Sequence, residues 1–210
     1  YATASEWEMG EDQEFPPDCT DSVSRAMNRA IEDGADIINV SLGSFPEESA
    51  YAFLHAVAAG LPVVLATGND GDDDTADART NGTIGVGAAN LDGTYAEWSS
   101  WGDGLTVLAP AIDLALRGYS TYSDDEAMTA VLDLVEDDVS ATSFAAPQVA
   151  GLLALGKQAH PTATGNQLVR ALIDTATVPE GVTAWDPRYG YGEIDPRAFL
   201  ATDPTGLEDS

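Results

Sequence analysis

Residues 37–69, IINVSLGSFPEESAYAFLHAVAAGLPVVLATGN, hold two short apolar runs on either side of a longer amphipathic interval. The runs 37–42 and 61–67 have the length and β-branched content of buried strands, and 47–59 reads as a helix between them. Strand, helix, strand in close succession is a βαβ unit, whose two strands run parallel through a right-handed crossover. Upstream, 22–33 puts Val23, Met27, Ala30 and Ile31 on one helical face, and Gly34 suits the residue that ends such a helix. Downstream, 82–90 and 105–110 supply further short strands and 140–158 a helix. The pattern predicts an α/β fold in layers, with a mainly parallel central sheet and helices on both faces. Ligands in such folds bind beyond the carboxyl ends of the strands, where Ser41-Leu42-Gly43 and Gly68-Asn69 fall.

Two segments stand apart from this alternation. Residues 113–139 are acidic, with helical character around 126–135, and read as a surface insertion. The last nine, 202–210, are polar and acidic and are expected to fray, leaving 1–201 as the domain.

The chain of 210 residues carries 36 acidic and 8 basic side chains, a net charge of -28, and Lys157 is its single lysine. Such a surface repels nucleic acid and anionic membranes. Its self-repulsion opposes the compact state in dilute buffer and is screened in molar salt, which reads as salt adaptation and a halophilic source. The runs Asp72-Asp73-Asp74, Asp124-Asp125-Glu126 and Glu136-Asp137-Asp138 suit either structural Ca²⁺ or solvated acidic loops. None has EF-hand spacing, the solvated reading is preferred, and metal ligands stay unassigned. Cys19 is the sole cysteine, so no internal disulfide forms, and Asp18 and Asp21 beside it disfavour a thiolate nucleophile. No apolar run approaches the ~18 residues of a membrane span.

Chemistry concentrates in Ser140-Ala141-Thr142-Ser143-Phe144-Ala145-Ala146-Pro147-Gln148-Val149-Ala150-Gly151. Thr142 and Ser143 suit the capping positions of a helix start, and Pro147 is tolerable within about the first turn. Small residues keep this helix thin while Val149, Leu152, Leu153 and Leu155 give it apolar contacts, as befits a helix through the middle of the molecule. Ser143 then faces the positive end of the helix dipole as a candidate nucleophile. The same residues also suit a capped, Ala-rich core helix with no chemistry.

Thr142-Ser143-Phe144-Ala145-Ala146-Pro147 resembles the nucleophile segment Gly-Thr-Ser-x-Ala-x-Pro of the subtilases, the subtilisin-like serine peptidases. Further blocks are similar to that family in the same order. Asp36 through Gly43 resembles its substrate-binding strand, Val63 through Asn69 its strand ending in the oxyanion asparagine, and Tyr95 through Gly102 with Val107-Leu108-Ala109-Pro110 its next block. His160-Pro161 and Tyr189 through Asp195 resemble its closing region. The resemblance implies a three-layer subtilisin-like fold, incomplete at the amino end, that acts as a serine endopeptidase on protein or peptide substrates without a cofactor for the chemistry and as a secreted protein.

On that resemblance Ser143 is the nucleophile, and Asn69 donates its amide N–H to the oxyanion beside the Ser143 backbone N–H. Ser41, Leu42 and Gly43 pair with an extended substrate, and Ala66, Thr67 and Gly68 wall the P1 pocket, which Thr67 narrows or polarises. Asn69 taken alone reads more readily as a left-handed turn residue after Gly68.

The family's Asp-(Ser/Thr)-Gly and His-Gly-Thr motifs do not occur. Subtilase triads run Asp, His, Ser along the chain, so both partners are expected upstream. His55 lies on a helix, and His160 at a helix end where the last carbonyls and dipole attract it; neither is placed as a base. Tyr1 is not methionine, so the sequence is expected to be a piece, the carboxyl-terminal two-thirds of a catalytic domain whose Asp- and His-bearing segment lies upstream. Ala141 and Ala111 stand where the family has glycine, and a Cβ at Ala141 disturbs the nucleophile only if φ must be positive. The leading expectation is a peptidase portion inactive alone; the alternatives are a non-catalytic peptide-binding module and an acidic cation-binding protein.

Overall fold

Strands that are apolar on both faces decide how the layers stack. In the computed structural model, which describes residues 22–42, 45, 49–112, 116–119, 132–135, 140–182 and 184–209, helix α1 spans Ser22–Glu32, strand β1 Ile38–Val40, helix α2 Ser49–Ala58 and strand β2 Val63–Ala66. Then come β3 (Ile84–Ala89), β4 (Leu105–Pro110), β5 (Leu116–Tyr119), β6 (Leu132–Val135), α3 (Thr142–Ala159), α4 (Gly165–Thr175) and α5 (Pro196–Ala201). Strands β1 to β4 form one parallel sheet in sequential order, with Val40 opposite Leu65 and Ala66 opposite Val86.

Successive side chains of β2 enter opposite cores, as the two-residue period of a strand requires. Val63 and Leu65 pack with Met27, Ala30 and Phe53 of α1 and α2, whereas Val64 packs with Val149, Leu152 and Leu153 of α3 and with Leu168 and Leu172 of α4. Because both faces are covered, all six residues of β3 are buried. The three-layer α/β expectation holds. Gly34, at φ +76°, ends α1 as the sequence suggests.

Beyond β4, residues 190–194 lie along its free edge: Tyr191 N–H donates to the Thr106 carbonyl, Leu108 N–H to Gly192, and Ile194 N–H to Leu108. Asp195 then caps α5 through the amides of Arg197 and Ala198.

Two expectations fail. The span 126–135 was expected to be helical, but residues 132–135 form β6, paired antiparallel with β5. The Leu132, Asp133, Leu134 alternation matches a strand, and pairing with a distant segment outweighs local helix preference; residues 124–126 and 136–138 lie outside the described residues. Residues 202–209 are docked rather than frayed. Asp203 caps a 3-10 turn at Pro204–Gly206, Gln167 Nε2 donates to the carbonyls of Thr205 and Leu207, and the Thr164 hydroxyl binds Asp209. Pro204 is buried and Leu207 rests on the main core, so the polar composition hides two anchors.

Candidate active site

Three chain segments converge at the carboxyl edge of the sheet. Ser41 follows β1, Gly68 and Asn69 follow β2, and α3 begins at Thr142 with Ser143 second in its first turn. The Ser143 hydroxyl lies 3.5 Å from the Ser41 carbonyl, a weak donation across 102 residues of sequence. Leu42 is half-buried beside Ser41, while Gly43 and Cys19 lie outside the described residues.

The helix start differs from the sequence expectation. Its N-cap is Ala141, and no side chain of the cap bonds the helix. Thr142 is fully buried and turns its hydroxyl toward the β2 loop instead, accepting from Gly68 N–H at 3.2 Å and donating to Asn69 Oδ1 at 3.0 Å, with the Gly68 carbonyl a second acceptor at 3.3 Å. Thr142 N–H also donates to Asn69 Oδ1, at 2.8 Å. The side chain satisfying the first amide of α3 therefore comes from another strand, which local sequence cannot signal. Pro147 sits in the second turn rather than the first, and its missing N–H leaves the Ser143 carbonyl without an intrahelical donor. Ala141 has φ -163°, an extended conformation open to any residue, so the absent glycine introduces no strain.

Asn69 is exposed, and with its oxygen engaged twice its Nδ2 group has no acceptor among the described residues. The same is true of the Ser143 backbone N–H. An anchored amide with free N–H bonds and an orphan N–H at a helix start are both donors suited to an anion. Ala66 and Gly68 are half-buried at this edge. Thr67 corrects an expectation: it is 4% exposed, and its hydroxyl donates into the interior, to the Ser100 carbonyl at 3.1 Å and toward Val86 at 3.3 Å, rather than into a pocket.

Among the described residues, no base stands within reach of Ser143. His55 Nδ1 is 3.1 Å from Asn28 Oδ1, between α2 and α1. His160 is the C-cap of α3 and faces Asp203 at 3.4 Å, about 25 Å from Ser143 along the helix at ~1.5 Å per residue. The Asp72-Asp73-Asp74 run is exposed, and its contacts are those of a turn: Asp72 Oδ1 accepts from Ser100 Oγ and Asp74 N–H, and the Asp73 carbonyl from Arg79. No group of three His, Cys, Asp or Glu side chains among the described residues is placed to hold a metal.

A layered α/β sheet with a serine at a helix start and an asparagine at the end of the second strand defines a subtilisin-like module. The model of the Subtilase family (peptidase S8) matches residues 16–192, and this chain belongs to that family. It is 33% identical over 159 residues to the thermostable alkaline protease of Halalkalibacterium halodurans, covering 74% of this chain and 40% of that protein. With subtilisin DY of Bacillus licheniformis the identity is 34% over 155 residues, 70% of this chain and 52% of that one. The crystal structure of fervidolysin from Fervidobacterium pennivorans, a keratinolytic enzyme related to subtilisin, superposes with a TM-score of 0.74 at 28% identity, over 89% of this chain and 30% of that chain. The chain thus spans about half or less of the length of these relatives.

Proposed function

We propose that this chain carries the nucleophile, oxyanion-hole and substrate-binding parts of a salt-adapted subtilisin-like serine endopeptidase that becomes active when an Asp- and His-bearing segment completes it. The observation that supports the reading is that Asn69 Oδ1 is held by Thr142, the residue before Ser143, while Asn69 Nδ2 and the Ser143 backbone N–H engage no acceptor among the described residues. In this reading Ser143 Oγ attacks the scissile carbonyl, its proton passes to a histidine of the completing segment, and the carbonyl oxygen becomes an oxyanion held by those two donors. Serine at its own pKa is a poor nucleophile, so the chain alone has no peptidase turnover beyond what an oxyanion hole gives without its base. Subtilisin stripped of its triad retains roughly 10³–10⁴ over water by such means.

Substrates are proteins or peptides laid in extended form along Ser41, Leu42 and Gly43, with the P1 side chain against Ala66 and Gly68 and with Thr67 turned inward behind them. Structural Ca²⁺ remains part of the proposal with no ligands assigned. No helix among the described residues is long and apolar enough to cross a membrane.

A fluorophosphonate probe tests the reading. With the Asp- and His-bearing segment supplied in trans or fused upstream, labelling is expected at Ser143 and is lost in Ser143→Ala. Inertness of the completed protein sinks it. Both histidines are engaged elsewhere, His55 with Asn28 and His160 with Asp203, which favours a second reading, a non-catalytic module that binds extended peptides; calorimetric peptide binding equal in wild type and Ser143→Ala, with no labelling, would mark that outcome.

A further inference from the structure

We propose that Ser100, assisted by Thr67, is a positioning residue for Asn69: it fixes where the amide nitrogen of the oxyanion donor points without touching substrate. This rests on the reading of Asn69 as that donor. Asn69 follows Gly68, whose φ is +107°, in an exposed loop, and among the described residues its own backbone N–H and carbonyl have no hydrogen-bond partner. Its side-chain oxygen is tied to Thr142, but the backbone that carries the side chain must be located by its neighbours.

Those neighbours converge on one residue. Ser100 N–H donates to the Gly68 carbonyl at 3.0 Å, immediately before Asn69. Immediately after it, Asp70 N–H donates to Ser100 Oγ at 3.3 Å, and that hydroxyl donates in turn to Asp72 Oδ1 at 3.2 Å. The Thr67 hydroxyl donates to the Ser100 carbonyl at 3.1 Å. Ser100 therefore holds four positions, 67, 68, 70 and 72, on both sides of Asn69.

The clamp has little slack. Ser100 is fully buried, and a Cβ added to Gly68 would lie 3.0 Å from Ser100 Oγ, so the loop rests on that hydroxyl. Ser100 is in turn supported from β3, because Ser99 Oγ accepts from Ala88 N–H at 3.0 Å and lies 3.3 Å from the Ser100 carbonyl. An oxyanion donor works only when already aimed, since displacements near 1 Å cost about 10²-fold in rate. Ser100 thus acts through Asn69 and is a positioning rather than a catalytic residue.

The test is nuclear magnetic resonance on the 210-residue chain, which needs no turnover. The Asn69 side-chain amide signal is identified by its disappearance in Asn69→Asp. Ser100→Ala is expected to shift and broaden that signal and to speed hydrogen exchange of the Asp70 amide about tenfold, the equivalent of one lost hydrogen bond. Amides of β3 and α4 keep their exchange rates. Thr67→Val gives the same pattern more weakly, and Thr83→Ala, whose hydroxyl bonds Ala78 and Thr80, leaves both signals alone. An unmoved Asn69 signal in folded Ser100→Ala overturns the proposal, as does a loss of protection spread through the sheet, which marks a staple for the whole fold. Should Ser100→Ala not fold, Ser100→Cys, close in volume and a weak donor, is read on the same two signals with the same criteria. If Ser143 never labels yet Asn69 responds to Ser100, the catalytic reading fails and the clamp stands; the reverse pattern removes the clamp alone.

Discussion

Thr142 binds the single atom Asn69 Oδ1 twice, through its amide at 2.8 Å and its hydroxyl at 3.0 Å. The pair joins the start of α3 to the end of β2 and leaves the asparagine only one free face. Thr142→Val keeps the shape and deletes the hydroxyl, stranding Gly68 N–H. We expect a loss of about 0.5–1.5 kcal/mol in urea unfolding, the net worth of a hydrogen bond at a half-buried donor. A midpoint unchanged from wild type would contradict the geometry.

Two glycines of α3 give opposite expectations. A Cβ at Gly151 meets nothing within 4 Å, so Gly151→Ala is expected to stabilise by roughly 0.5–1 kcal/mol through the helix preference for alanine. At Gly156 the added carbon would lie 2.7 Å from the Phe199 ring and 3.1 Å from Leu168, forcing α5 and α4 outward. Gly156→Ala is expected to destabilise by about 1–3 kcal/mol, as overpacking does. Paired denaturation curves of the two variants decide it.

Glu193 responds to pH. Burial, and then the charge of Asp92, pushes its carboxyl above the ordinary glutamate value. A raised carboxyl favours the folded state while protonated, so its contribution is full below the unfolded glutamate range and is lost as pH rises through the folded value. Glu193→Gln is therefore expected to melt slightly higher than wild type near neutral pH and equally at acid pH. A difference that is largest in acid would reverse the sign and refute the assignment.

Arg188 lies over the rings of Tyr95 and Trp101, 5.8 and 5.3 Å from their centroids, pinning the 186–190 turn to the 95–101 loop. Arg188→Ala is expected to cost about 1 kcal/mol, with Arg188→Lys recovering part of it. Chemical denaturation of the three proteins measures both.

A net charge of -28 sets the salt response. The Debye length falls from about 10 Å at about 0.1 M salt to about 3 Å at about 1 M, so self-repulsion in the folded state weakens over that range. The melting temperature is expected to rise with KCl. A flat or falling curve would remove salt adaptation from the proposal.

The sheet and its flanking helices were legible because each element announces itself locally: short uncharged apolar runs at 63–66 and 84–89, the apolar face of α1, the small residues of α3. Ser143 and Asn69 were legible as a resemblance, and the structure brings their segments together through Thr142. What escaped the sequence was non-local. Thr142 reads as a cap for its own helix, yet its hydroxyl serves residues more than seventy positions away. Ser99-Ser100 stood in a recognised block but carried no visible role, since its partners lie some thirty residues earlier. The β5/β6 pairing and the docked tail were missed for the same reason: β6 is set by pairing with β5 and not by its own sequence, and the polar tail is held by Gln167 and by two apolar side chains, Pro204 and Leu207.

The Ala141 cap that contributes no side chain has a kinetic meaning. A helix whose first amide is satisfied by Asn69, 73 residues away, cannot complete its opening turn until β2 and its loop have docked. Loop closure over that length makes the event entropically late. The first turn of α3 is therefore expected to order near the end of folding and to open early when the protein loosens. Ser143 would then lose its setting in partly unfolded chains while most of the sheet is still intact.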